Sequence, residues 1–540
     1  MRSLTSSYEQ SWLSWFLRGI LILGTLVLFA RLFELQVIKG NYYRDLSDGN
    51  RVRRVTINAP RGKIFARGGE VLVDNRPVYF KLVLTGDGGY QKIEVEESGL
   101  DTIIEYKRFY PLGADLAHVT GFVGYVAESE LSRVEPKCPE KGALKLNSWV
   151  GRNGLEETYN CGLRGFDGEE LIEVDTHGNK VRVLGRKPAR TGEDIRTTID
   201  YGLQKKAVDA IKGKIGAIVA TDIKGEVLAL YSSPSFDPNL FVDSNLAYSS
   251  RLENVLNDSN HPLFNRAIAG LYHPGSTFKI VTSIAALSEG KIDEKFIFDD
   301  PGVISINDFE FANWYFTQYG GLEGELGVVR AIARSTDTFF YKVGELVGIK
   351  SLASWSRKFG LEDKSGIDLA GEVTGLVPDP EWKGRVKGEK WFLGNTYHVA
   401  IGQGDLALTP LSVNQISSVV ASYGKVCRPF IARRENEVNK SCRELGISTK
   451  NISLVKQGMV EACETGGTGY PFFDYNPKVA CKTGTAETIE MGKTHAWFTV
   501  FAPSDDPEII LTVLVEKGGE GSSVAAPIAR EILEFYFQRK

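Results

Sequence analysis

Residues 19–30 form an unbroken run of apolar and neutral side chains, closed on its two sides by Arg18 and Arg31. With residues 11–17 before it and Leu32 and Phe33 after it, the segment reaches the roughly 20 residues a helix needs to cross a bilayer, Arg18 snorkelling to the interface. No small-x-small cleavage pattern follows, so the pattern predicts an uncleaved anchor over 11–36 behind a short tail, 1–10. From 37 to 190, strand-like runs at 54–57, 70–73 and 78–84 alternate with turns and charged helical patches. That rhythm predicts a β-rich domain with no catalytic signature of its own. Near 190 the rhythm changes. A stretch from Asp194 to Asp200 leads into a helical pattern over 202–211, and apolar runs at 216–222 and 225–231 read as a hairpin about a Lys-Gly turn. Strand patterns return at 496–502 and 509–515, and a final helix is predicted over 526–537. The fold class this predicts is α+β: a transmembrane helix, a β-rich pedestal (37–190), and a domain over 191–540 with an antiparallel sheet between helices.

The candidate chemistry sits inside that last domain. Pro274-Gly275 is a turn signal, and helix formers follow it from Ile280 to Leu287. A turn opening into a helix puts Ser276 among the first helical residues and Lys279 one turn later on the same face. Serine is a poor nucleophile without an adjacent base, and a lysine kept neutral by burial is one. Ser-x-x-Lys alone is common, and its ordinary reading is a helix start followed by a surface lysine. Two later motifs change that reading: Ser335-Thr336-Asp337, and Lys482-Thr483-Gly484-Thr485. The order Ser-x-x-Lys, Ser-x-Asn/Asp, Lys-Thr-Gly resembles that of penicillin-binding proteins and serine β-lactamases.

That resemblance implies a serine acyl-transfer enzyme, a D,D-transpeptidase that cross-links peptidoglycan stem peptides and is trapped by β-lactams. It implies Ser276 as nucleophile, Lys279 as base, and Ser335 as a proton relay between Lys279, Lys482 and the leaving amine. Lys482, Thr483 and Thr485 would bind the terminal carboxylate of D-alanyl-D-alanine, with Gly484 letting the substrate lie against the strand edge. Asp337 would contact substrate, and the backbone N–H groups of Ser276 and Thr485 would form the oxyanion hole. Many relatives carry Asn at the position of Asp337; a carboxylate only accepts hydrogen bonds unless protonated, whereas an amide also donates. The pieces Arg61-Gly62, Arg108-Phe109-Tyr110-Pro111 and Gly151-Arg152-Asn153-Gly154 resemble the pedestal of class B penicillin-binding proteins, their Arg and Gly read as turn chemistry and surface pairing. Trp391-Phe392-Leu393-Gly394-Asn395-Thr396 and Ile401-Gly402-Gln403-Gly404 resemble the elongation-specific penicillin-binding protein 2 branch. The partners this implies are stem peptides (donor and acceptor amine), β-lactams, a polytopic glycosyltransferase of the shape, elongation, division and sporulation (SEDS) type, and elongation scaffold proteins. The alternatives are a D,D-carboxypeptidase, a β-lactamase, or a β-lactam sensor or scaffold activating a partner glycosyltransferase.

Composition adds bounds. A chain of 540 residues with 42% hydrophobic and 24% charged residues is globular and holds two or three domains. A net charge of −4 argues against nucleic acid as a partner. Six scattered histidines lack ligand spacing, and Asp299, Asp300, Asp308 and Glu310 read as a solvated acidic loop, so neither metal nor cofactor is expected. Positive charge is heavier after the anchor (Arg31, Lys39, Arg44, Arg51, Arg53, Arg54) than before it (Arg2, Arg18). Charge counting alone puts the large domain inside the cell, while the resemblance implies a single-pass protein of the bacterial cell membrane with the catalytic domain outside. Of the six cysteines, Cys138 with Cys161 and Cys427 with Cys442 bracket loops that a disulfide could close; Cys427 follows a strand-like run, 419–426, and Cys442 lies across a short polar excursion, 433–440, that reads as a hairpin-like loop. Cys463 and Cys481 are expected as buried thiols, Cys481 facing away from the cleft.

Overall fold

A computed structural model describes residues 12–84, 90–99, 102–146, 148–175, 180–243, 246–433 and 442–539. The expected tail, 1–10, and nearly all of the polar excursion at 433–440 lie outside the described residues. The chain divides into two compact units that interleave in sequence: Met1–Pro60, Pro77–Tyr106 and Phe166–Arg190 form one, and Arg61–Arg76, Lys107–Gly165 and Thr191–Lys540 the other.

In the smaller unit, helix α1 (Trp12–Phe33) buries no residue, and the apolar span Trp12–Ile38 has a mean hydropathy of 2.0 over its best window. A helix of 27 residues at 1.5 Å per residue is about 40 Å long, enough to cross the hydrocarbon with some tilt. Strands Val52–Ile57, Gly168–Val174 and Lys180–Lys187 form an antiparallel sheet with Gly168–Val174 in the middle. Val55, Ile103, Ile172 and Val174 make its small core. The separate runs at 70–73 and 78–84 are parts of one strand, Val71–Leu84, of which the residues up to Arg76 belong to the larger unit and those from Pro77 to the smaller. Its polar middle is tolerated because Asn75 donates from Nδ2 to the Arg61 carbonyl at 2.7 Å and accepts from Arg108 at 3.2 Å.

The larger unit is built on a five-stranded antiparallel sheet of β1 (Gly216–Thr221), β2 (Val227–Ser233), β3 (Ala480–Glu487), β4 (Thr494–Ala502) and β5 (Ile509–Val515), in the order β2-β1-β5-β4-β3. Strands β1, β2 and β5 are buried along their whole length, which is why they read as continuous apolar runs and not as alternation. Alternate residues feed two cores. Ile218, Ala220, Cys481, Phe498, Val500, Leu511 and Val513 face α2 (Tyr201–Ala210) and the last helix, Ala526–Gln538. Ala480, Trp497, Phe501, Ile510 and Leu514 face the helical layer that carries Phe278, Phe339 and Val419. In that layer are α3 (Lys279–Ser288), α4 (Val328–Arg334), α5 (Asp337–Val347), α6 (Leu393–Ala400), α7 (Pro410–Ala421) and α8 (Thr449–Ala462).

The strand expected at 419–426 is mostly not one. Thr409 accepts the Ser412 N–H at 3.1 Å, Pro410 sits in the first turn, and helix α7 runs to Ala421 before a short strand, Lys425–Cys427. The apolar residues there serve a helix with buried positions all round. The pedestal arginines also depart from surface pairing. Glu156 is fully buried and accepts from Arg61 at 2.9 Å and Arg108 at 2.6 Å, while Arg61 reaches Asn160 at 3.0 Å. Burial pushes the Glu156 carboxyl up, but Arg108 and Arg61 outweigh it and hold the group ionised.

Cys138–Cys161 and Cys427–Cys442 are disulfides, with Cα–Cα distances of 5.7 and 3.9 Å. Cys463 and Cys481 are not thiols: they form a third disulfide across 6.0 Å. Sequence separation hid this pair because α8 turns back at Ala462 and brings Cys463 under β3, where Cys481 faces the core as expected.

Candidate active site

Ser276 lies in a 3-10 turn, Gly275–Phe278, that leads directly into α3, so Lys279 opens the α-helix one turn after the serine. The turn is held tightly. Gly275 has a φ of 54°, and a Cβ there would meet the Thr485 carbonyl oxygen at 2.9 Å. Its N–H donates to the Gly402 carbonyl at 2.9 Å, and a Cβ on Gly402 would overlap the Gly275 carbonyl oxygen at 2.1 Å. Two glycines thus let the serine turn, the 401–404 loop and strand β3 meet backbone to backbone. His273 adds to this: its carbonyl accepts from the Trp497 indole at 3.0 Å, and its Nδ1 lies 2.7 Å from the Leu406 carbonyl.

Ser276 is half-buried between buried neighbours, whereas Lys279 and Lys482 are both 0% exposed. Lys279 Nζ donates to Asp337 Oδ1 at 2.6 Å, to the Ser335 carbonyl at 2.7 Å and to Ser335 Oγ at 3.3 Å. Ser335 closes α4 in the left-handed region, φ 58°, and this turns its side chain and carbonyl to one amine before α5 begins at Asp337. Burial lowers the Lys279 amine below the ordinary 10.5, and Asp337 opposes it. Lys482 is pushed well below the same value by burial first and then by the charge of Lys279. Two buried amines with one carboxylate between them favour a single shared positive charge, and Asp337 puts it on Lys279.

On β3, Thr483 is buried with its hydroxyl 2.8 Å from that of Thr468, and Lys482 Nζ donates to the Thr483 carbonyl at 3.2 Å. Thr485 is exposed, and its carbonyl accepts from the Gln403 amide at 3.4 Å. A Cβ on Gly484 would lie 3.0 Å from the Trp497 Cβ, 3.1 Å from Thr277 Cγ2 and 3.2 Å from the Pro274 carbonyl oxygen. The glycine therefore makes room for the protein's own serine turn.

Ser276, Lys279, Ser335, Asp337 and Lys482–Thr485 all come together, from motifs more than 200 residues apart. Sequence reasoning missed the groups that hold Asp337. The Asp337 N–H donates to Asn313 Oδ1 at 3.0 Å, and Asp337 Oδ2 accepts the Trp314 N–H at 3.1 Å. Asn313 in turn donates to Asp300, which also accepts from Thr338 at 2.6 Å and from the backbone of Gly302 and Glu323. Asp300 is thus a buried organiser and not part of a solvated acidic loop. No spacing rule connects Asn313 to Asp337. Gly402-Gln403-Gly404, by contrast, was visible as a motif and lacked only a role. Among the described residues, one set of side chains lies close enough to share a metal ion, Glu135 with Cys138 and Cys161, and both its sulfurs are committed to a disulfide.

A family model described as the penicillin-binding protein transpeptidase domain matches residues 216–534, more than half of the chain. The chain belongs to the penicillin-binding protein family. A second model, the penicillin-binding protein dimerisation domain, matches residues 89–197 of this penicillin-binding protein. It is 32% identical to the peptidoglycan D,D-transpeptidase MrdA of Acinetobacter baumannii over 96% of this chain and 86% of that one. Among solved structures it resembles the penicillin-binding protein 2 (PBP2) of Helicobacter pylori determined in complex with MreC, with a TM-score of 0.78 and 26% identity over 90% of this chain and 99% of that one. It also resembles a chain from a structure of a peptidoglycan synthase complex that coordinates polymerization and crosslinking, with a TM-score of 0.76 and 28% identity over 97% and 98% of the two chains.

Proposed function

We propose that this penicillin-binding protein is a membrane-anchored peptidoglycan D,D-transpeptidase of cell-wall elongation, with Ser276 as its nucleophile. The observation that carries the reading is the buried amine of Lys279, one turn from Ser276 and hydrogen-bonded to Ser335 and Asp337. A donor stem lies along the outer edge of β3, its terminal carboxylate near Lys482, Thr483 and Thr485. Arrival of that carboxylate stabilises an ammonium at Lys482 and, by repulsion, the neutral amine at Lys279. Ser335 carries the proton between them. Neutral Lys279 then accepts the proton of Ser276 as its Oγ attacks the D-alanyl carbonyl, and the N–H groups of Ser276 and Thr485 receive the developing oxyanion. The C–N bond breaks, the leaving D-alanine takes a proton through Ser335, and an acceptor amine resolves the ester to give the cross-link. β-Lactams present the same amide and stop at the ester.

The anchor is read as single-pass with the larger unit outside the membrane, and three disulfides support an oxidising compartment. The full-length likeness to proteins solved with MreC and within a peptidoglycan synthase complex supports an MreC-type scaffold and a SEDS-type glycosyltransferase as partners.

The test is labelling with a fluorescent penicillin. Ser276→Ala should lose covalent labelling while staying folded, and Lys279→Ala should slow acylation by about 100-fold or more even at saturating ligand. Stoichiometric labelling of Ser276→Ala would place the nucleophile elsewhere.

A further inference from the structure

The chain enters the serine turn through Tyr272, four residues before Ser276. The Tyr272 backbone pairs with Leu408, donating to its carbonyl at 3.0 Å and accepting from its N–H at 2.8 Å. Its ring meets His495 edge-on at 5.2 Å and Trp497 at 6.2 Å, both on β4. Its hydroxyl donates at 2.6 Å to Oε1 of Glu516, the first residue after β5. The same oxygen accepts from Arg266 Nε at 2.7 Å. Hydrogen bonds to an ionised acceptor are roughly twice as strong as neutral ones. Burial, and next the charge of Glu516, hold the Tyr272 phenol well above its usual range, so it stays a donor at neutral pH.

Glu516 stands on a fixed footing. Its N–H donates at 2.8 Å to the carbonyl of Ile215, just before β1. Arg266 is buried, and its Nη1 and Nη2 donate to the carbonyls of His261 at 3.3 Å and Asn260 at 2.7 Å. Its backbone N–H donates at 3.0 Å to Ser232 Oγ on β2. The carboxylate is thus fixed to the rim of the central sheet and holds the run that delivers the nucleophile. Beyond Tyr272 that run is tied at His273 to Trp497 and Leu406, and at Gly275 to Gly402. The acceptors in those ties are backbone carbonyls, so the bond to the Glu516 carboxylate is the strongest single hold on the run. None of Arg266, Tyr272 and Glu516 belongs to the three motifs or to the proton path.

We propose that Glu516 is a positioning residue for acyl transfer: through the Tyr272 hydroxyl it sets where the serine turn stands, and with it the approach of Ser276 Oγ to the bound carbonyl. The inference rests on Ser276 as the nucleophile of the proposed function.

The experiment follows acylation of the full-length protein by a fluorescent penicillin after rapid mixing, over a range of concentration and pH, together with thermal unfolding of each variant. Tyr272→Phe keeps the ring and loses only the hydroxyl. Its acylation rate at saturation should fall by about tenfold, against about 100-fold for a 1 Å misplacement, with the half-saturating concentration unchanged. Glu516→Gln should fall by a similar factor, and the double variant no further than either, because the two residues act as a unit. Glu516→Asp keeps the charge but is one methylene too short to reach, so it should match Glu516→Gln. The acid limb of the pH profile should stay in place in all of them, since Lys279 and Asp337 are untouched. A role in folding alone would lower the unfolding temperature and leave the saturated rate of the folded protein intact. An unchanged saturated rate in Tyr272→Phe, losses that multiply in the double variant, a wild-type rate in Glu516→Asp, or a moved acid limb overturns the assignment. Tyr272→Phe decides alone if the Glu516 variants do not fold. Covalent labelling of Ser276→Ala overturns the proposed function and this assignment together, whereas the other outcomes overturn the assignment alone.

Discussion

At Asp337 a single oxygen decides where charge rests in the site. The carboxylate holds the Lys279 ammonium at 2.6 Å and is itself held by Asn313 and Trp314. Lys279 works as a base only when neutral, so the carboxylate raises the pH at which acylation becomes fast. Asp337→Asn removes that hold, and burial then lowers the amine further. The acid limb of the penicillin acylation profile should therefore move to lower pH. Rate constants measured across pH for the two proteins decide it, and an unmoved limb would assign the base to another group. Gly402 makes a second case. A methyl group there would overlap the Gly275 carbonyl oxygen, and its φ of 78° disfavours any other residue. Gly402→Ala should slow acylation by about tenfold or more, through displacement of the serine turn, and should lower the thermal unfolding temperature as well, because the added methyl group meets backbone and not a movable side chain.

Among the elements, β3 and α8 are joined by Cys463–Cys481, a link whose second half directly precedes Lys482. Closing a loop with a sequence separation of 18 residues stabilises by roughly 3 kcal/mol in the chain-entropy account. Cys463→Ala/Cys481→Ala should lower the unfolding free energy by about that amount in urea titration. It should also slow penicillin acylation, because the strand that carries Lys482 loses its tie to the helix beneath. Equal acylation in the double variant would make the bond purely stabilising. Helix α7 shows the opposite relation between pattern and element. Its apolar residues near 419 suit a strand or a buried helix equally, and the Thr409 cap with Pro410 after it settles the matter.

On the scale of the whole molecule, α1 contributes no buried residue, and every candidate site residue belongs to the larger unit. A chain beginning at Gly40 should therefore be soluble without detergent and bind fluorescent penicillin at the full-length rate. A folded truncation that fails to label would mean that the membrane segment shapes the site. The same scale explains why linear reading of residues 37–190 blurs. Arg61–Arg76 and Lys107–Gly165 pack within the larger unit, with Glu156 clamped between Arg61 and Arg108, whereas Pro77–Tyr106 and Phe166–Arg190 belong to the smaller one.

Sequence alone determined what depends on local order: the anchor, the hairpin of β1 and β2, the strands at 496–502 and 509–515, the last helix, and the three motifs that carry Ser276, Lys279, Ser335, Asp337 and Lys482. These rest on periodicity, caps and residue chemistry read over a few neighbours. Tertiary structure decided what depends on contacts between distant segments. It brought Asn313 and Asp300 to Asp337, set Thr468 against Thr483, pressed Gly402 onto Gly275, and paired Cys463 with Cys481. None of these partners lies within a turn or a strand pair of the residue it serves, so no periodicity could announce it. Packing alone creates such contacts.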